Sequence, residues 1–383
     1  MQTPLQRLHK RVVVEHVTNL LNPRAPLAPA QAKATTLPPL AGEDWVVPLT
    51  WAGTTSRHPY ANLGDALSPI VVSALSGLPI AYHRFESNRE RMAAVGTIGH
   101  KFAGGTVHFW GTGLNPWKGV MDAPGRYELP PNTRFEVHAM RGPASANHLR
   151  RRGLEVPEVY GDPVWFTPMI FPPATEKRYE LGVILHVAEL YKPGESEGIP
   201  RLPRLKRYRI APALQEQVKL FTTLTDPTLA SIEARIQAIT ACKRIASTSL
   251  HGLALAEAYG IPCVYMPYAA GGGMNVSMVR KNRVVDYRMR DFYLGMGVKQ
   301  RFIFRQLGDE PTPWKVLMRA IDRHWSPIDW SPSAFLDAFP LPIAFNPLKD
   351  APLFEQGELD QGELDQDEQS ASPQRSMLSR IRF

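Results

Sequence analysis

The chain is poor in cysteine, with only Cys242 and Cys263 among 383 residues. Two thiols are too few for a disulfide framework or a cysteine-built zinc site, and this usage is typical of a reducing cytoplasm. Cys263 stands in an apolar run, and Cys242 lies near the end of a predicted helix. We therefore expect both to be buried packing residues and not nucleophiles.

Long hydrophobic runs are also missing. No stretch of about 18 apolar residues is present, so the sequence predicts no membrane-spanning helix. The short apolar run 12–14 is followed at once by Glu15 and His16, which is unlike a secretory signal. The expected location is the cytoplasm.

Three kinds of functional pattern are absent as well. Gly111 and Gly113 are not followed by the helix and acidic residue of a dinucleotide-binding fingerprint. No His and Glu spacing typical of a metal site occurs, and no nucleic-acid recognition module is recognisable. The sequence therefore predicts no nicotinamide cofactor, no metal and no nucleic-acid partner.

Positive charge is what the chain has in excess, with 44 Lys and Arg against 36 Asp and Glu. Seven of the acids lie in residues 355–369, which contain no Lys or Arg, so the rest of the chain is more basic still. Such a surface suits phosphorylated substrates or anionic lipid. One basic run is either a solvated, ion-paired surface or a peripheral contact with membrane phosphates or a lipid-linked acceptor: Arg201, Arg204, Lys206, Arg207 and Arg209.

Both ends of the chain have biased composition. Residues 1–42 are rich in Pro and Ala and predict a disordered, loosely packed arm. Residues 350–383 contain a tandem acidic repeat, 356–360 and 361–365, and predict a disordered tail.

Between the ends, strand and helix patterns alternate, which predicts an α/β fold with parallel sheets. A proline-rich boundary divides it into domains at 43–168 and 175–345. The first is expected to contain strands at 46–51, 80–84, 93–98, 107–111, 135–140 and 161–166, with helices at 65–75 and 144–152. The second is expected to contain strands at 181–186, 218–222, 244–247 and 263–266, with helices at 227–240, 250–259 and 312–323. Two such domains facing each other would leave a ligand cleft between their strand ends.

The segment 245–262 is the most informative part of the sequence. A short buried strand ending in Ser247 and Ser249 passes directly into a helical pattern that Gly260 and a following proline end. His251 therefore lies near a helix N-terminus, where free N–H groups favour a bound anion. The alternative is that the hydroxyl residues cap the helix and the histidine is structural; position alone favours neither.

Several short motifs resemble those of the polysaccharide pyruvyl transferases over roughly 46–297. The motifs that carry the resemblance are Asn62-Leu-Gly-Asp65, Trp110-Gly-Thr-Gly113, Met140-Arg-Gly-Pro143, Tyr160-Gly-Asp-Pro163, His186 at a strand end, and Ser247-Thr-Ser-Leu-His-Gly252 with Ala256-Glu-Ala-Tyr-Gly-Ile-Pro262. The resemblance implies two Rossmann-like domains facing across a cleft, as in GT-B enzymes. It also implies transfer of a pyruvyl group from phosphoenolpyruvate, as a cyclic ketal, to two hydroxyls of a sugar. The acceptor would belong to a cell-surface polysaccharide or its lipid-linked precursor.

Site roles follow from the motifs and the chemistry. His251 is the expected acid and base, because histidine titrates near neutral pH. Asp65 is expected either to cap a helix or to act in catalysis, and Asn62 and Gly64 to bind the acceptor. The expected donor-binding residues are Arg141, Ser247, Ser249, Gly252, His186 and Arg290. Many members of the family have an arginine where this chain has Ser249, so the missing positive charge must come from elsewhere. Asp162, in a turn, is expected to be structural.

Two other functions fit parts of the sequence. Glu257 and the residues after it resemble the ribose-binding helix of nucleotide-sugar glycosyltransferases with the same fold. In that case Glu257 would bind ribose, whereas in a pyruvyl transferase it would pair with a neighbouring base. The loss of arginine at Ser249 also permits a non-catalytic relative that acts as an assembly protein.

Overall fold

The computed structural model describes residues 10, 12–14, 46–55, 59–190 and 204–356. Thirteen strands occur within them: β1 (Val47–Leu49), β2 (Ala61–Asn62), β3 (Ile80–Tyr82), β4 (Arg91–Ala93), β5 (Gly105–Trp110), β6 (Thr133–Ala139), β7 (Leu181–Leu185), β8 (Val218–Thr222), β9 (Leu224–Thr225), β10 (Ile245–Ser247), β11 (Cys263–Tyr265), β12 (Gly272–Ser277) and β13 (Gln300–Arg305). The same residues form eight α-helices: α1 (Leu63–Ser76), α2 (Pro143–Arg150), α3 (Thr167–Ile170), α4 (Leu229–Thr240), α5 (Leu250–Ala258), α6 (Tyr287–Gly295), α7 (Trp314–His324) and α8 (Ser333–Asp337). None of these helices is both long and apolar enough to cross a membrane.

The first sheet is entirely parallel, with the strand order β3-β1-β4-β5-β6. Strand β1 is flanked by β3 on one side and by β4 on the other, so the strand order reverses direction at β1. In open α/β sheets, ligands bind beside the carboxyl ends of the strands at such a reversal. Here those ends lead into residues 50–51 and 94–97, so this edge of the sheet is a candidate site.

The second sheet has the order β12-β13-β11-β10-β7-β8 and is parallel except for the β12–β13 pair. All five residues of β7 are buried, as expected for a central parallel strand covered on both faces. The order reverses between β7 and β10, and their carboxyl ends lead to His186 and to the start of α5. The predicted strand-to-helix transition at His251 is thus confirmed and lies at this second reversal.

A two-stranded antiparallel ladder, which the sequence did not predict, joins the two halves. It pairs β2 with β9, and Leu63 N donates to Thr223 O over 2.6 Å. Since α1 starts directly after β2, this pairing fixes the start of α1 against the second half of the chain.

Several predicted boundaries were wrong. Helix α1 begins at Leu63 and not at 65, because Asn62 is the residue with extended backbone that precedes it. The predicted strand 161–166 is a 3-10 helix, Pro163–Phe166, in which Asp162 accepts from Val164 N. The predicted strand 93–98 ends at Ala93, since Gly96 has a φ of 109° that an extended strand does not allow.

The C-terminal part of the described chain returns to the first sheet. Phe335 of α8 stacks on Trp110 at a centroid distance of 4.6 Å and accepts a bond from its indole N–H. Further along, the buried Phe354 stacks on Phe171. Residues 350–356 are therefore packed and not disordered as predicted, because Leu353 and Phe354 supply apolar anchors. The predicted tail beyond 356 lies outside the described residues.

The described pieces of the N-terminal region also contact this core. Val13 is buried, and the Lys10 ammonium lies 5.7 Å from the centroid of the Phe354 ring. The loose packing predicted for 1–42 is therefore wrong for Val13, whose apolar side chain joins the main core. The rest of that arm lies outside the described residues.

Helix α6 and the start of α2 approach each other through two glycines. A Cβ on Gly142 would lie 1.9 Å from the Asp291 carbonyl oxygen, and one on Gly295 would lie 2.0 Å from the Arg141 carbonyl oxygen. Both obstacles are backbone atoms, which cannot rotate away as a flexible side chain can. The contact between the first and second halves at this point requires glycine on both sides.

We expect Gly142→Ala to destabilise the protein by about 1–3 kcal/mol or more, because the added methyl must displace α6. Chemical denaturation measures this change. The control is Gly119→Ala, where the nearest atom would lie at 3.3 Å. Equal stability of the two variants would contradict this view of the α2–α6 contact.

Candidate active site

The loops after β7 and β10 are tied together by hydrogen bonds. His186 N donates to Thr248 Oγ1 over 2.8 Å, and the Thr248 hydroxyl donates to the buried carboxylate of Glu189. The His186 ring accepts from Ala188 N at Nδ1 over 3.1 Å. In the neutral ring the proton therefore resides on Nε2.

The hydroxyl residues before α5 are mainly structural. Ser247 is fully buried, accepts from Ser249 N, and lies within hydrogen-bond distance of the Ile184 and Ser249 carbonyl oxygens. Ser249 is the N-cap residue of α5, and its side chain makes no capping bond. A Cβ on Gly252 would lie 2.5 Å from Ser247 Oγ, so this glycine lets α5 pack closely on the strand end. Ser247 and Gly252 thus have structural roles, and the donor-binding roles predicted for them stay predictions.

His251, in the first turn of α5, meets the start of α1. Its Nδ1 lies 3.4 Å from Asn62 Oδ1, and a Cβ on Gly64 would lie 1.9 Å from the imidazole Cγ. The glycine of the Asn62–Asp65 motif is thus explained by close backbone approach to the ring. With Oδ1 as acceptor, the imidazole proton is on Nδ1, and Nε2 carries a free lone pair.

The imidazole of His251 resists protonation. Burial, followed by the positive charges of Arg288 and Arg141 and by His186, lowers its pKa to about 3. The side chain is therefore neutral at physiological pH and can accept a proton. In the ligand-free protein it is a poor proton donor.

Asp65 has the opposite shift. Its pKa is raised to about 7, chiefly by burial and to a smaller extent by the charge of Asp162, while Lys101 and Arg288 act in the opposite direction. Its carboxylate lies at the first switch point, where a Cβ on Gly96 would lie 2.9 Å from Oδ1. Asp65 is the third residue of α1, so the predicted N-cap role is wrong; Asn62 holds that position. Near neutral pH a large fraction of Asp65 keeps its proton.

Arg141 follows β6 and is buried to 1% exposure. It donates to Thr97 Oγ1 over 2.6 Å and pairs with Asp291 of α6 at 3.3 Å. Asp291 also accepts from the backbone N–H groups of Ala144 and Ser145 at the start of α2. The Arg141 guanidinium passes Gly113 so closely that a Cβ on this glycine would lie 2.2 Å from Nη2. Arg141 therefore connects two halves of the chain and acts on His251 through its charge.

The structure adds two charged residues, Asp162 and Arg288, to those that act on Asp65 or His251. Burial raises the pKa of Asp162 to about 6, and its charge acts on Asp65. Arg288, on α6, pairs with Asp286 through two N–H groups and has Nη1 at 3.5 Å from His186 Nε2. The sequence provides one indirect signal for Arg288, the preceding Asp286 that caps α6.

Arg290 uses its guanidinium elsewhere. It donates to the carbonyl oxygens of Met278 and Val279, and it is not among the groups that shift the pKa of His251 or Asp65. The donor-binding role predicted for it has no support in these contacts.

Glu257 is buried and accepts from three donors: Tyr293, Arg301 and Trp325. Ribose binding by this carboxylate would require these bonds to break, at about 1.5–3 kcal/mol for the charged one. The contact with Arg301 is the ion pair expected of a pyruvyl transferase.

The basic run is divided between interior and surface. Arg207 is fully buried, pairs with Glu189 at 3.7 Å and donates to Met266 O. Both surface positions considered for Arg207, the ion-paired surface and the membrane contact, are therefore wrong, since its charge is paired in the interior. Lys206 and Arg209 are exposed, whereas Arg201 and the side chain of Arg204 lie outside the described part.

Asp65→Asn should stabilise the protein over wild type, and by more at pH 8 than at pH 5. The folded-state pKa lies above the ordinary value of 3.8, so wild-type stability falls as pH rises from about 4 to 7. Asn removes this dependence, and the variant should gain on the order of 2–4 kcal/mol over wild type across that window. Denaturant titrations at both pH values measure it, with the exposed Asp309→Asn as control. A gain that is the same at pH 5 and pH 8 would rule out a raised pKa.

Comparison with known proteins gives one family match. The family model described as polysaccharide pyruvyl transferase matches residues 100–269, less than half of the chain. This range includes Arg141, His186 and His251 but neither Asp65 nor Arg288. No curated protein and no solved structure matches significantly. The resemblance indicated by the motifs is confirmed: residues 100–269 carry the sequence pattern of the polysaccharide pyruvyl transferase family.

Proposed function

We propose that the protein transfers the pyruvyl group of phosphoenolpyruvate to two hydroxyls of a saccharide, forming a cyclic ketal and releasing phosphate. The observation that carries this proposal is that Asp65 and His251 have pKa values shifted in opposite directions, while Gly64, the residue before Asp65, packs against the His251 ring. Groups whose pKa values are shifted apart in this way are typical of acid and base pairs in active sites.

The proton balance of the reaction requires such a pair. The methylene carbon of phosphoenolpyruvate gains one proton, which leaves positive charge on C2. The first hydroxyl then adds to C2, the C–O bond to phosphate breaks, and the second hydroxyl closes the ring. The two protons lost by the hydroxyls end on the methyl group and on phosphate, so a proton donor and a proton acceptor both take part.

Asp65 suits the donor role and His251 the acceptor role. A carboxyl with a pKa of about 7 holds a transferable proton at neutral pH, whereas an imidazole with a pKa of about 3 does not. A bound donor with three negative charges favours imidazolium and would raise the pKa of His251. The histidine could then receive a hydroxyl proton and pass it to the departing phosphate.

The surroundings suit an anionic donor and a hydroxylated acceptor. The first N–H groups of α5 have no partner within the helix, and His251 lies in this first turn. Asn62 offers an amide beside His251 for acceptor hydroxyls, and the missing side chain of Gly64 lets the imidazole lie against the backbone there. Saccharide from a cell-surface polysaccharide or its lipid-linked precursor is the proposed acceptor. The exposed Lys206 and Arg209 would assist peripheral contact with the inner face of the cytoplasmic membrane.

Phosphate release from phosphoenolpyruvate, assayed with a panel of hexosides and lipid-linked saccharides, tests the proposal. We expect release by wild type that depends on an acceptor, and a decrease of about 100-fold or more in kcat for His251→Ala and for Asp65→Asn. Asp309→Asn is the control, since that carboxylate is exposed. No release with any acceptor, with thermal stabilisation by a nucleotide sugar instead, would replace this proposal with glycosyl transfer.

The pH profile tests which group is the acid. The value of kcat/KM should fall about tenfold per pH unit above about pH 7, as Asp65 of the free enzyme loses its proton. Asp162→Asn removes a negative charge that raises this pKa, so the alkaline limb should move to lower pH. An unmoved limb in Asp162→Asn would show that another group is the acid.

A further inference from the structure

Trp117 stands out among the aromatic side chains by its exposure. Among the tryptophans of the described residues it alone is exposed, at 60%. Met121, a few residues further along the same loop, is 49% exposed. Tryptophan is highly buried on average, and where it is exposed it is enriched at binding surfaces. The exposed indole ring therefore indicates a contact with a ligand.

We propose that Trp117 is a stacking platform for a pyranose ring of the saccharide acceptor. This inference rests on the proposed function, which supplies the acceptor, and it adds a binding residue beyond Asn62. The C–H groups on one face of a pyranose ring carry partial positive charge, whereas the face of an indole ring is negative. Burial of apolar surface and electrostatic attraction therefore both favour stacking of the two rings.

The chain reaches Trp117 from the edge of the first sheet that carries Asp65. Residues 111–114 follow β5 and are bonded to the loop after β4: Gly113 N donates to Gly96 O, and Gly99 N donates to Gly113 O, both over 2.9 Å. A Cβ on Gly96 would lie 2.9 Å from Asp65 Oδ1. Trp117 thus follows closely on a segment that packs beside the proposed acid.

Residues 117–126, the Trp117 loop, are closed at their base and strained at their tip. Tyr127 is fully buried, and its N–H donates to Pro116 O over 3.2 Å. At the tip, Met121 and Asp122 have φ angles of 55° and 65°. Left-handed backbone is costly for residues with a Cβ, and it persists where surrounding contacts enforce it. The loop is therefore built in one conformation, which spares the ordering cost on binding.

Asp122 supplies those contacts and joins the loop to the site. Its Oδ1 lies 2.9 Å from His100 Nε2 and accepts from Lys118 Nζ over 3.0 Å. Its Oδ2 pairs with Lys101 Nζ at 2.7 Å. The charge of Lys101 also lowers the pKa of Asp65. One lysine thus both holds the Trp117 loop and acts on the proposed acid, so the platform and the acid belong to one charged network.

Arg126 completes the platform. Its guanidinium carbon lies 5.9 Å from the centroid of the Trp117 ring. This contact covers one face of the indole at most, and the exposure of Trp117 leaves room for a second ring to stack. The guanidinium has five N–H donors and no acceptor, so it can donate to sugar hydroxyls at the rim. An apolar face with hydrogen-bond donors beside it suits a polyhydroxylated ring.

Steady-state kinetics of the full-length protein test the inference, with the saccharide that gives the fastest phosphate release. Trp117→Ala should raise KM for the saccharide about 10-fold or more, as is typical for truncation of a tryptophan anchor, and leave KM for phosphoenolpyruvate unchanged. Trp117→Phe keeps a smaller aromatic face and should fall in between. Val316→Ala removes an exposed apolar side chain on α7 and should behave as wild type does.

A binding measurement that needs no turnover gives the second readout. Saturation-transfer NMR and fluorescence titration use methyl glycosides of glucose, galactose and mannose and the corresponding disaccharides. Trp117→Ala should bind the preferred glycoside about 10-fold or more weakly. The change in tryptophan fluorescence on binding should be lost in Trp117→Phe. Thermal unfolding checks that the variants are folded, and if Trp117→Ala is not, Trp117→Phe carries the test.

The outcomes separate this inference from the proposed function. Weaker saccharide binding in Trp117→Ala, with unchanged binding in Val316→Ala, supports the platform. The same result without phosphate release from phosphoenolpyruvate supports the platform and overturns pyruvyl transfer. Unchanged binding and unchanged KM in Trp117→Ala overturn the platform and leave the proposed function intact.

Two further results would also overturn the platform. In the first, Trp117→Ala loses binding to vesicles of anionic phospholipid and keeps its KM for the saccharide, which would make the Trp117 loop a membrane contact. In the second, wild type binds no saccharide and releases no phosphate, which would overturn the proposed function as well.

Discussion

The buried ion pair between Arg141 and Asp291 is the interaction on which the site depends. It joins the end of β6 and the start of α2 in the first half to α6 in the second. Removing one partner of such a pair strands a buried charge, typically at about 3–5 kcal/mol. Two glycines, Gly142 and Gly295, allow the backbones to come close enough for it to form. Because α6 also carries Arg288, this contact sets the charge that surrounds His251 and Asp65.

A second contact between the halves determines the protonation of the site. The β2–β9 ladder brings the start of α1 to the start of α5, and the missing side chain of Gly64 lets the imidazole of His251 pack against the backbone. This packing buries both a carboxyl and an imidazole. Burial disfavours the charged form of each, which raises one pKa and lowers the other. The same desolvation thus favours the neutral form of both groups.

Several of the arginines serve the interior. Arg207 pairs with Glu189, which in turn accepts from the Thr248 hydroxyl between the two strand ends. Arg301 pairs with Glu257 beneath α5. These buried pairs hold the loops that carry His186 and His251, so an excess of arginine in the sequence reflects support of the site as well as attraction of anions.

The sequence by itself determined the local structure: alternating apolar strands and helices, the strand-to-helix transition at His251, the buried cysteines and the family motifs. Such features follow from residues close together in the chain, since periodicity and turn chemistry are local. The sequence did not identify Arg288 among its neighbouring basic residues, reveal the β2–β9 ladder or show that Asn62, and not Asp65, is the N-cap residue of α1. Only the tertiary structure decided these, because pKa shifts and ion pairs arise from burial and from contacts between residues far apart in the chain, as between Asn62 and His251 at a separation of 189.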